Sequence, residues 1–114
     1  MSARSETTIF TDDNEVKLLY TNRALANAEK LMGKSVIQVA QGFADGESGI
    51  TEMAMLLQAG MAEYKRDAKV GGKSITVQDA YEVMDDVGFA EVTQVVMESI
   101  AEVLSYSKTS SSKN

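Results

Sequence analysis

The sequence predicts a mainly α fold: an N-terminal β-hairpin followed by a compact bundle of four to five helices. Three observations predict it. Two short β-prone runs flank an Asx-rich turn near the start. Apolar residues then recur at helical spacing through most of the chain. Ser or Thr stands before several of these segments and Gly stands after them, as helix starts and stops require.

The hairpin is read from Thr7-Thr8-Ile9-Phe10, the turn Thr11-Asp12-Asp13-Asn14, and Val16 to Tyr20. The first helix starts at Thr21 or Asn22, where a short side-chain oxygen can accept from a free amide. Its apolar face is Leu25, Ala28, Leu31 and Met32, and Gly33 ends it because glycine enters the left-handed region cheaply. Ser35 caps a short second helix with Val36, Ile37, Val39, Ala40 and Phe43 on its apolar side. The third helix runs from Ile50 to about Ala68, with Ile50, Met53, Ala54, Leu57, Met61 and Tyr64 as its stripe. Met55 and Leu56 lie off that stripe, so this helix is apolar over most of its circumference before Glu63. Such a helix either sits centrally in the core or offers a second apolar face to a partner. Thr76 opens the fourth helix, which carries Val77, Ala80, Tyr81, Met84 and Val87 and breaks at Gly88. The fifth runs from about Ala90 to Ser105, lined by Phe89, Val92, Val96, Ile100, Val103 and Leu104. The domain organisation expected is a flexible N-terminus over 1–5, a single domain over 6–106 and a disordered polar tail over 107–114.

Composition narrows the function classes. The 114 residues suit one domain with a modest core. No apolar run approaches the ~18 residues that span a bilayer, and the first ten residues lack the apolar stretch of a secretory signal. With Cys 0 no disulfide framework or thiolate metal site is expected. These features suggest an intracellular protein. The net charge of −6 repels a phosphate backbone, and Lys65, Arg66, Lys69 and Lys73 read as a solvated helix end. Neither nucleic acid nor a membrane is expected as a partner.

Motifs for chemistry fail one by one. Gly33-Lys34-Ser35 and Gly72-Lys73-Ser74 each contain a phosphate-loop fragment, but Ala28 and Asp67 occupy the positions that need the earlier glycine. A calcium loop starting at Asp12 would need glycine where Lys17 stands. Asp85 and Asp86 are adjacent on a helix and point about 100° apart. With His 0, the usual acid–base group is missing. No catalytic, cofactor-binding or metal residue is assigned, no cofactor is expected, and an enzyme is the weaker reading.

The seven methionines are more informative. Thioethers fill irregular contacts and suit both cores and adaptable binding surfaces. The expected partner-binding residues are Ile50, Met53, Met55, Leu56, Met61, Tyr64 and Met97.

The stretch EVKLLYTNRALANAEKLMGKS resembles the opening of tail assembly chaperones of long non-contractile-tailed bacteriophages. In that family a β segment leads through a Thr-x-Arg turn, here Thr21 and Arg23, into a helix with Leu25, Glu29 and Gly33 in an L-x-x-x-E-x-x-x-G pattern. The mid-chain ITEMAMLLQAGM is similar to a segment of the family that often ends in a small-residue turn. SITVQDAYEVMDDVGFAEVTQVVMESIAEVL is similar to its closing segment, so the likeness spans roughly residues 6–106. The resemblance implies a non-enzymatic protein that binds the tape-measure protein and recruits tail-tube subunits. It implies residence in the host cell cytoplasm and absence from the mature virion. In many members a frameshifted longer form carries an extension, which here would follow the tail from Lys108. Self-association into a homo-oligomer is also expected. The alternative is a small structural tail protein, a tube or connector component.

Overall fold

The Asx-rich segment closes a two-stranded antiparallel hairpin, and five helices follow it in a computed structural model that describes residues 3–108. β1 (Arg4–Phe10) and β2 (Glu15–Thr21) pair with Ser5 opposite Tyr20, Thr7 opposite Leu18 and Ile9 opposite Val16. The turn is held by Thr11, whose N–H and hydroxyl both donate to the Asn14 carbonyl at 2.8 and 2.9 Å.

Three of the helices begin where the side chain of the preceding Ser or Thr accepts from a free amide. α1 (Asn22–Met32) starts with Ala24 N–H donating to Thr21 Oγ1 at 3.1 Å and stops at Gly33, φ 70°. α2 (Val36–Asp45) is capped twice, by Ser35 Oγ on Gln38 N–H and by Glu29 Oε2 on Val36 N–H. α3 (Ile50–Asp67) has Gly49 before it, and the Glu52 carboxylate folds back to accept from Gly49 N–H at 2.8 Å. α4 (Val77–Val87) opens with a reciprocal pair, Asp79 N–H to Thr76 Oγ1 and Thr76 N–H to Asp79 Oδ2. α5 (Phe89–Ser105) follows Gly88 directly.

α3 is the axis of the molecule, packed by β2, α1, α4 and α5. That position explains why it is apolar on so many sides. It also corrects two expected partner-binding residues: Met53 and Leu56 are both 0 % exposed and belong to the core. Gly60 lies where the Tyr20 ring crosses the helix, and the Tyr20 hydroxyl donates to the Leu56 carbonyl at 2.8 Å. α3 runs unbroken through Gly60, so the small-residue turn of the resembling family segment does not form here.

Three further expectations change. Arg4 and Ser5 are not frayed: both are in β1, the Arg4 guanidinium sits 3.3 Å from Asp67, and the buried Ser5 hydroxyl donates to Glu102 and lies 3.1 Å from that of Ser99. Leu31, Ile37 and Leu104 are exposed rather than core-facing, because Ala24, Leu25 and Ala28 supply the buried stripe of α1, Val36, Val39 and Gly42 that of α2, and Val92, Val96, Ser99, Ile100 and Val103 that of α5. Of the expected disordered tail, Ser107 is half-buried, and residues 109–114 lie outside the described residues, as do Met1 and Ser2 of the expected flexible N-terminus.

Candidate functional site

The remaining five expected partner-binding residues do not form one patch. Ile50 is 57 % exposed at the first turn of α3, Met55 is half-buried on the same helix, and Met97 is half-buried on α5 against the core. Met61 and Tyr64 do come together, in a shallow groove of about 310 Å3 between β2, α3 and the loop over 68–76. Val16, Val70 and Ile75 complete its apolar floor, with Glu15, Lys17 and Lys65 at its edge.

The loop is what brings Val70 and Ile75 onto α3. Lys69 takes a left-handed conformation (φ 57°) and Gly72 φ 99°, so the chain reverses sharply after the helix. Gln58 Nε2 donates to the Ile75 carbonyl at 2.9 Å, and the Lys65 ammonium donates to the Lys73 carbonyl. Val70 stays 60 % exposed, an apolar side chain held in place with nothing over it. The expected basic helix end is accordingly occupied in part: Lys65 holds the loop, and Arg66 makes two 3.0 Å hydrogen bonds to Glu63.

Glu63 anchors the floor from below. It is only 4 % exposed, accepts from Thr21 Oγ1 at 2.9 Å and from the Arg66 guanidinium, and so joins the end of β2 to α3. The Arg66 hydrogen bond, opposed by burial and helped by Thr21, holds the Glu63 carboxyl below its usual range. A buried charge with both partners in place stays ionised and fixes the two elements together.

The groove continues past Val16, Met61 and Ile75 into a second depression of about 460 Å3 between the hairpin turn and α4. Its walls are acidic: Asp13 from the turn, and Asp79, Glu82 and Asp86 from α4. The last three are spaced i, i+3, i+7 and share one helix face. Sequence reasoning missed this row because it weighed only the adjacent Asp85 and Asp86; the i, i+3, i+7 spacing was the available signal. Val70 and Ile75 stand between α3 and α4, outside the apolar pattern of either helix, and so carry no periodic signal.

A further furrow of about 430 Å3 lies between β1 and α5, lined by Ser5, Glu6, Val95, Glu98, Ser99 and Glu102. Serine, threonine and glutamate side chains make up most of its lining. Among the described residues no group of His, Cys, Asp or Glu is placed to hold a metal ion, and no helix is long and apolar enough to cross a membrane. The arrangement around α3 can bury apolar side chains of another molecule. No protein-family model, no curated protein and no solved structure matches the chain.

Proposed function

We propose that this protein is a phage tail assembly chaperone, a holder that binds the tape-measure protein and recruits tail-tube subunits while a tail is built. The observation that carries the reading is the groove on α3, where Met61, Tyr64, Val70 and Ile75 leave an apolar floor uncovered. A chaperone of this kind needs an apolar surface to cover client segments and enough net charge to keep the loaded complex soluble. The charge of −6 supplies the second. The resemblance of EVKLLYTNRALANAEKLMGKS and of the closing helices to tail assembly chaperones supports the same reading. Under it the protein works in the host cell cytoplasm, self-associates along an elongated client, and leaves before the virion is complete.

Co-expression with a tape-measure protein and affinity capture of the complex tests this reading. Capture is expected, together with absence of the chain from purified particles. No capture, with the chain present in mature particles, would instead make it a structural tube or connector protein.

A further inference from the structure

Among the described residues, four carboxylates around the acidic half of the groove have no cation partner. Among the described residues, the ion pairs of Arg4, Lys17, Lys34 and Arg66 all go to other acids, so Asp13, Asp79, Glu82 and Asp86 take part in none. Asp79 is engaged only with Thr76 at the start of α4. Between these acids lie Val16, Met61, Ile75 and Val83, so the charges border an apolar trough. At the other end of the groove Lys17 is 3.3 Å from Glu15, while the Lys65 ammonium donates to the neutral Lys73 carbonyl and keeps its charge, one cation against four carboxylates outside any ion pair. The uncompensated charge of the groove is therefore negative.

The geometry points to an amphipathic helix bearing a row of Lys or Arg side chains as the occupant of this groove. Its apolar stripe covers Val16, Met61 and Ile75, and its cations face Asp79, Glu82 and Asp86. Seven residues of α4 rise about 10 Å, and a partner helix laid alongside repeats its own flank at the same pitch, so cations at i, i+4 and i+7 meet the acid row in register. An anionic segment with the same stripe would bring like charges together beside a low-dielectric floor, which disfavours it. This inference rests on reading the groove as the client surface and adds the chemistry of the client segment.

The test uses fluorescence anisotropy of the full chain with three labelled synthetic peptides of equal length. One is a Leu/Lys helix with a leucine stripe, one the same pattern with Glu for Lys, and one a Leu/Lys permutation without a stripe. The striped Leu/Lys peptide is expected to bind at least about tenfold more tightly than either of the others. The double variant Glu82→Lys, Asp86→Lys sets two new cations against Asp13 and Asp79 and removes the preference for the striped Lys peptide over the Glu peptide. The matched change Asp45→Lys, Glu47→Lys, at exposed positions away from the groove, leaves it in place. Circular dichroism confirms that both variants are folded. Equal binding of the Lys and Glu peptides overturns the inference, and so does a preference that moves as far with the distant pair as with the groove pair. If peptide selectivity holds but no tape-measure protein is captured, the groove chemistry stands and the client identity falls. If tape-measure protein is captured equally by wild type and by the groove charge reversal, the chaperone reading stands and this inference falls.

Discussion

Gly60→Ala tests whether α3 and β2 are seated as described. A Cβ built at Gly60 would lie 2.5 Å from Tyr20 Cζ, 2.6 Å from its hydroxyl oxygen and 2.9 Å from Cε2. Tyr20 cannot swing into solvent, because it is fully buried and its hydroxyl is committed to the Leu56 carbonyl. Two effects oppose each other. Alanine is favoured over glycine inside a helix by about 1 kcal/mol. Overpacking a filled core costs about 1–3 kcal/mol, and a displaced hydroxyl loses about 1 kcal/mol more. The clash wins, for a net loss of about 1–3 kcal/mol. For a domain of this size that lowers Tm by roughly 4–12 °C, read by circular dichroism at the helix band. In a Tyr20→Leu background, itself destabilised by the lost ring volume, the alanine is expected to be neutral or stabilising. An unchanged or higher Tm for Gly60→Ala alone would refute the close approach of ring and helix. Because Met61 is the next residue along α3, the same variant is expected to weaken groove binding.

Acid destabilisation is expected below the ordinary carboxylate range. The pKa of Glu63 is held down mainly by Arg66, and that of Glu52 mainly by the Gly49 N–H, so their stabilisation is full above the unfolded pKa near ~4.3 and is lost as pH falls below it and through the lowered folded values. Glu63→Gln should flatten that limb in a urea-midpoint series against pH. At the alkaline end, burial pushes the Tyr20 phenol well above its usual range, so stability is full below about pH 10 and declines above it. Tyr20→Phe should remove most of that decline. Met61→Glu, at a half-buried position packed on the core but open to the groove, should lower Tm by less than Gly60→Ala does, yet abolish client capture. A fall in Tm comparable to that of Gly60→Ala would place Met61 in the core instead.

Much of the architecture was legible because local chemistry and packing agree in this chain. Thr21, Ser35 and Thr76 each place one oxygen on a free amide, and Gly33 and Gly88 end their helices, so the five boundaries could be read almost to the residue. The inward face of α3 could not. A helix surrounded by β2, α1, α4 and α5 loses its one-sided pattern, which left Met53 and Leu56 indistinguishable from Met61 and Tyr64. Ser5 was illegible for a related reason: a hydroxyl is buried when its partner, here Glu102, arrives from the far end of the sequence. The groove depends on a loop conformation at Lys69 and Gly72 and on two side chains bonding its carbonyls, neither of which leaves a periodic trace.

Under the proposed function the uncovered floor along α3 is a surface for another polypeptide. Methyl-labelled methionine offers the most direct measurement, since Met53 is sealed in the core, Met61 lines the groove, and Met97 lies away from it on α5. Titration with a tape-measure fragment is expected to shift and broaden the Met61 methyl resonance while those of Met53 and Met97 stay in place. A bound fragment that perturbs Met97 and leaves Met61 untouched would contradict it.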